Sequence, residues 1–246
     1  MKKIARLILL SALLISLWQG IISLFDVPPY LLPAPFSVWQ RLMTQADLLF
    51  MHAQITLLEI LLGLVFGFLF GLSSALLLTL SRKISAFLMP LLVISQAIPV
   101  FAIAPLLVLW LGYGMASKIT MAIIYFPVTA ACYDGLRNTP KPWLQLAQTL
   151  RISPAAMLLK VRLPAALPAL ASGLRIAVSI APIGAIVGEW VGSSEGLGYL
   201  MLQANARMQI DLMFAALFLL LLMALCLYFI VDKLLRKALP WVSYVH

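Results

Sequence analysis

Three observations predict an all-α membrane protein of six transmembrane helices. The 246 residues are 64% hydrophobic and only 10% charged, against the roughly 25% charged share of a soluble domain, and mean hydropathy is +1.08. Six apolar runs, over 4–25, 53–80, 86–111, 117–136, 167–190 and 212–235, each approach the ~20 residues that a crossing helix needs. The cationic residues are then divided very unequally between the two sides. With the N terminus inside, the inner segments hold 13 of them (Lys2, Lys3, Arg6, Arg82, Lys83, Arg137, Lys141, Arg151, Lys160, Arg162, Lys233, Arg236 and Lys237), and the outer segments hold only Arg41, Lys118 and Arg207. This positive-inside bias predicts a multi-pass protein of the cell inner membrane with both termini cytoplasmic. The net charge of +9 is thereby explained by topology, and no basic patch with interleaved aromatics points to nucleic acid.

Taken in order, the first run follows Lys2, Lys3 and Arg6 and resembles a signal peptide at first glance. Its apolar stretch is longer than a typical h-region and no small-x-small cleavage site follows, so it is read as a retained span. Asp26 to His52 is too polar and too rich in proline to cross. Pro28, Pro29, Pro33 and Pro35 force extended backbone, after which Phe36–Met43 is expected to form a short helix on the outer surface. No soluble domain, low-complexity region or internal repeat interrupts what reads as one membrane domain over 1–246.

The second run carries Gly63, Gly67 and Gly71 four residues apart, a spacing that lets a neighbouring backbone approach closely. That neighbour belongs either to the same chain or to a second copy. The third run contains Ser95, Gln96 and Pro99 and then Pro105, the fourth Pro127, and the fifth Arg175, Ser179 and Pro182. A proline frees a carbonyl, which lipid tolerates only where neighbours or water satisfy it. Bends at similar depth in three spans point to a cavity or a gate, with Ser95, Gln96, Pro99 and Ser179 as candidate pathway residues. Gln96 either lines that pathway or bonds another helix. Arg175 lies within snorkelling reach of the inner surface, Asp134 and Arg137 are read as an ion pair, and Glu59 is either an interfacial anchor or a partner for the pathway. Cys132 and Cys226 both sit in apolar segments and read as packed or lipid-facing thiols.

Between the fourth and fifth runs lies a polar, basic loop, 137–166, in which residues Leu144 to Pro154 suggest a short amphipathic helix bounded by prolines. Pro164 and Pro168 are expected to act as rigid corners where this loop meets the fifth span. The chain has no Gly-x-x-x-x-Gly-Lys-Ser/Thr phosphate loop. His52 and His246 are its only histidines, too few and too far apart for a metal site. Carboxylates well inside spans, the usual proton relay of an ion-driven pump, are essentially lacking. The residues therefore describe neither an enzyme nor a self-powered pump, and no cofactor is implied.

Several segments in this order are together similar to a known family. They are Leu32-Pro-Ala-Pro35, the glycine-bearing second span, Pro105 to Gly112, Tyr133-Asp-Gly-Leu-Arg137, the inner loop, Gly188-Glu-Trp190 and Gly196-Leu-Gly-Tyr199. Over about Leu32 to Trp241 the chain resembles the permease subunits of binding-protein-dependent ABC importers, in the group that handles sulfonates, taurine, nitrate and pyrimidine precursors. The family's coupling motif, Glu-Ala-Ala-x-x-x-Gly followed by hydrophobic-x-Leu-Pro, is matched at Ala147 and at Val161-Arg-Leu-Pro164. Gln145 stands for its glutamate and Arg151 for its glycine.

The resemblance implies a cytoplasmic coupling helix, with Gln145, Ala147, Gln148, Leu150, Arg151, Ser153 and Pro164 as coupling residues. It implies a separate cytoplasmic ATP-binding subunit, an extracytoplasmic solute-binding protein and a homodimeric pore in the lipid bilayer. The outer segment Gly188 to Gln209 is most similar to importers of a thiamine pyrimidine precursor, with sulfonate, taurine or nitrate as alternatives. Glu189 lies where the fifth span meets the outer face, and lines the outer mouth, touches the binding protein or caps the loop. The competing class is a secondary transporter or channel that works without an ATPase.

Overall fold

A computed structural model describes residues 2–114 and 125–242, and every regular element among them is helical. The elements are α1 (Lys2–Phe25), α2 (Pro35–Thr44), α3 (Ala46–Leu80), α4 (Arg82–Ala97), α5 (Val100–Leu111), α6 (Phe126–Arg137), α7 (Lys141–Thr149), α8 (Pro154–Met157), a π-helical turn (Leu158–Arg162), α9 (Leu163–Gly192), α10 (Leu197–Ala206) and α11 (Ile210–Ala238). Three helical stretches, Ala46–Leu80, Pro154–Gly192 and Ile210–Ala238, are long and apolar enough to cross a membrane by length and composition. Shorter apolar helices run over Ala12–Phe25, Lys83–Ser95 and Phe101–Leu111. The first part of the expected fourth span, with Lys118, lies outside the described residues, as does His246.

The chain divides into two compact units: Met1–Thr56 with Ser194–Leu222, and Leu57–Ser193 with Met223–His246. In the first, Ala34 is extended (φ −64°, ψ 145°) and Pro35 opens α2, where its missing N–H costs nothing because first-turn donors have no partner in the helix. The short helix expected over Phe36–Met43 is thus found one residue wider at each end. The Arg41 side chain of α2 donates to Asp211 Oδ2 of α11 at 2.6 Å. Trp18 of α1 lies against Phe214 of α11, with ring centroids 5.9 Å apart.

In the second unit α9 is the central element, packed along α6 and α5. Ile60, Leu64, Ala75, Leu78, Val128, Cys132, Leu136, Ala166, Leu170, Ala177, Val178 and Leu227 form its core. Within the most apolar window of Pro154–Gly192, 56% of residues are buried, against 17% for Ile210–Ala238, so the former is the inner rod and the latter presents most of its surface outward. The question of which neighbour the glycine spacing serves is answered for Gly71. A Cβ there would lie 2.8 Å from the Val128 side chain and 2.9 Å from the Tyr125 carbonyl oxygen, so the close neighbour is α6 of the same chain.

Two expectations about proline are corrected. The third apolar run does not merely bend: α4 stops at Ala97, Ile98 and Pro99 are extended (ψ 117° and 131°), and α5 starts at Val100. The ring of Pro99 disfavours a helical conformation for Ile98, which breaks the helix outright. Pro164 and Pro168, in contrast, make no corner. Pro164 sits in the first turn of α9 and Pro168 within it, and the helical run from Pro154 to Gly192 is continuous. The π turn explains this, since Leu163 N–H donates to Leu158 O, five residues back. Widening the helix there gives the Pro164 ring room beside the carbonyl of Lys160, with which it would otherwise collide.

Candidate functional site

The inner loop is built by two stop signals. Pro140 is extended (ψ 127°) and α7 begins after it. At the other end Leu150 N–H donates to Leu146 O, Ile152 N–H donates to Ala147 O at 3.2 Å, and Arg151 adopts φ +51°. This is the glycine-favouring way to end a helix, with a left-handed residue just past its last turn. Arg151 thus occupies the conformation that explains why the family motif has glycine at this place. The helix spans Lys141–Thr149 and not Leu144 to Pro154, because the left-handed turn ends it before Pro154. Ser153 then accepts from Ala156 N–H at 3.2 Å and so caps α8.

The loop helix has two faces. Ala147 is 4% exposed, Leu144 and Ile152 are half-buried, and α7 packs back on the π turn. On the other face Trp143, Leu146 and Leu150 are 53%, 62% and 67% exposed, at positions i, i+3 and i+7 that align along a helix. Gln145, Gln148, Arg151, Ser153 and Pro164 are also exposed. Of the seven residues assigned to coupling, Ala147 alone is turned into the chain. The exposed tryptophan, which alignment to the motif did not single out, leads the apolar stripe.

The candidate pathway residues fall in three places. Ser95 and Pro99 flank the break between α4 and α5. Ser95 donates to Leu92 O at 2.7 Å and lies 3.5 Å from the Tyr125 hydroxyl. Gln96 is in the last turn of α4. Ser179, exposed on α9, donates to Arg175 O at 2.9 Å. Glu189 is 0% exposed, so within this chain its carboxylate faces protein and not an open mouth. Glu59, equally buried, is the fourteenth residue of α3. Both carboxylates belong to long apolar helices, Glu189 three residues before the end of α9.

Two further clusters were not anticipated. Arg175 of α9 donates through Nε to Asp232 Oδ1 of α11 at 2.7 Å, and Arg236 takes Asp232 Oδ2 at 2.8 Å. Arg175 is held by this carboxylate and does not reach freely for the surface. Asp134 and Arg137, expected to pair, are both exposed, and no ion pair joins them among the described residues. In the other unit, Gly196 (φ +105°) precedes α10. Its N–H donates to His52 Nδ1 at 2.9 Å, and Leu197 N–H donates to Thr56 Oγ1 at 2.8 Å. One turn of α3 thereby caps a helix about 140 residues away. The four-residue spacing of His52 and Thr56, which places both on one face near the start of a long helix, was the available signal.

Comparison with known proteins follows the same lines. The family model for the inner membrane component of binding-protein-dependent transport systems matches residues 63–240. A "Probable ABC transporter permease protein" of Haemophilus influenzae is 68% identical over 96% of this chain and 97% of its own. The formylaminopyrimidine transport permease protein ThiX of Halalkalibacterium halodurans is 37% identical, over 87% of this chain and 86% of its own. Among solved structures, a chain of the MetNI methionine ABC transporter in inward-facing conformations superposes with a TM-score of 0.65. It is 22% identical, and the match covers 79% of this chain and 97% of that one.

Proposed function

Because the chain belongs to the family of binding-protein-dependent transport system inner membrane components, and is a permease subunit of an ABC importer, we propose that α7 is its coupling helix and docks on a cytoplasmic ATP-binding subunit. The observation that carries this reading is the exposed stripe of Trp143, Leu146 and Leu150 on a helix that follows an extended proline and ends in a left-handed turn. That helix is joined through a single tight turn to the helical run Pro154–Gly192, which is roughly 58 Å long at 1.5 Å per residue. Motion imposed on the loop would pass along this rod without being absorbed by a corner.

The magnitudes are compatible. Full burial of an apolar side chain contributes about 1.5–3 kcal/mol, so three such residues would supply an interaction comparable with the about 5.5 kcal/mol needed to invert a 99:1 preference between two states. ATP hydrolysis belongs to the partner. Two copies of this chain would form the pore, with six spans each and both termini in the cytoplasm. An extracytoplasmic solute-binding protein would release its ligand into the outer side. The break at Ile98-Pro99 is the favoured pathway element, since an apolar helix interrupted by extended backbone frees backbone groups that a water-lined passage can satisfy.

The proposed solute is a thiamine pyrimidine precursor, supported by the 37% identity to a formylaminopyrimidine permease; sulfonate, taurine and nitrate are the alternatives. Purification of the tagged chain in mild detergent, followed by mass spectrometry and reconstitution, tests the reading. An ATP-binding subunit in equal amount, and uptake of labelled formylaminopyrimidine that needs ATP, are the expected results. A chain that purifies alone and still moves solute would instead be a secondary transporter, for which the buried Glu59 and Glu189 are the favourable feature.

A further inference from the structure

A polar cavity of about 630 Å³ opens among the end of α3, the start of α4, the end of α6 and the π turn, all within the second unit. Leu78, Thr79, Ser85, Ala86, Tyr133, Arg137 and Arg162 line it. Among the described residues it contains two guanidinium groups and no carboxylate. Arg137 forms no ion pair among the described residues, and two guanidinium groups with no carboxylate on the cavity wall suit it to an anion.

The hydroxyl groups agree with that. Ser85 and Tyr133 hydrogen-bond one another at 2.5 Å. They carry two hydroxyl hydrogens between them, and one suffices for that bond, which leaves one to donate into the cavity. The Thr79 hydroxyl is already committed to Ala75 O at 2.8 Å and can only accept.

An adjoining groove of about 580 Å³ shares Ser85, Ala86, Tyr133 and Arg137 with this cavity and continues along α4 past Met89, Pro90, Val93 and Ile94. Val93 and Ile94 are 54% and 58% exposed. Asp134 also lines the groove and offsets part of the charge of Arg137, which leaves Arg162 as the principal cationic contact. A charged, hydroxyl-bearing pocket that runs into an apolar track has the shape of a lipid: phosphate at one end and acyl chain at the other. We infer that this is a binding site for one anionic phospholipid, its phosphate between Arg162 and Arg137 and an acyl chain along Met89, Pro90, Val93 and Ile94. The inference does not depend on the coupling assignment.

Native mass spectrometry of the full-length protein, in whatever complex it is purified, decides the matter. Delipidated protein is supplied with phosphatidylglycerol or with phosphatidylcholine. One phosphatidylglycerol per chain should be retained at about tenfold higher occupancy than phosphatidylcholine, the size of effect expected for charge-assisted hydrogen bonds. Arg162→Gln should abolish that preference, while Lys233→Gln, an equal change in charge on α11, should leave it intact. Ser85→Ala, a milder change that keeps the fold if Arg162→Gln does not, should reduce it. Equal retention of both lipids, or equal loss with Lys233→Gln, would overturn the site. Thermal stabilisation by inorganic phosphate without retention of phosphatidylglycerol would overturn the lipid assignment.

Discussion

Arg175 Nε and Asp232 Oδ1 lie 2.7 Å apart, with side chains 16% and 15% exposed, and this pair joins the central rod α9 to the last helix, α11. Arg236 completes the cluster from one turn further along α11. A carboxylate shared by two guanidiniums, and largely removed from water, is costly to break from one side only, because the remaining charges are left uncompensated. Replacement of Asp232 by Asn should therefore lower stability by about 2 kcal/mol, between the values for exposed and fully buried pairs. The double change Arg175→Met with Asp232→Leu should recover most of that loss. Thermal unfolding in detergent reads both, and an unchanged melting point for Asp232→Asn would remove the pair from the account of stability.

The caps on α10 make a second prediction. Thr56→Val keeps the shape of the side chain but removes the acceptor for Leu197 N–H, and His52→Ala removes the acceptor for Gly196 N–H. An unsatisfied buried donor costs about 1–3 kcal/mol. Each variant should melt earlier and open the segment around Ser193–Gly196 to protease, while the inner loop keeps its wild-type resistance. Cleavage that instead rises equally in both regions would show a global and not a capping effect.

Arg151 supplies a third. Its left-handed backbone, φ +51°, is strained by roughly 1–2 kcal/mol in any residue with a Cβ. Arg151→Gly should stabilise the loop by about 1 kcal/mol, and Arg151→Val should destabilise it. If the side chain also grips the ATP-binding subunit, Arg151→Gly will raise the melting point and lower uptake together. Measurement of both on one preparation separates the backbone role from the contact role.

Ala147 and Leu146 are neighbours with opposite environments, 4% and 62% exposed. Ala147→Asp should abolish uptake by disrupting the packing of α7 on the π turn, with a lowered melting point. Leu146→Asp should abolish uptake at an unchanged melting point, because it alters only the exposed stripe. Normal uptake in well-expressed Leu146→Asp would sink the docking assignment.

Composition and charge placement alone carried the helical membrane class, because lipid admits no unpaired backbone and so leaves helices as the economical way to bury long apolar runs. The inner loop was legible as a helix flanked by prolines for a similarly local reason, since proline and left-handed residues act within one turn. Its limits were misplaced by several residues because the stop at Arg151 is a backbone conformation that arginine does not advertise. Pro99 and Pro164 look alike as letters, yet one breaks a helix and the other is absorbed by a π turn.

What the chain by itself determined, then, is its solvent, its secondary structure class, its loop and the motif order that marks its family. The tertiary structure alone decided that Gly71 serves α6, that Ala147 faces inward, that Asp232 holds two arginines, and that His52 and Thr56 cap α10. Each of these depends on a contact between separate elements of the chain or between successive turns of one helix, and not on local sequence alone. Hydrophobic periodicity reports only which face of a helix avoids water, whereas a contact of this kind is selected by which other face is there to meet it.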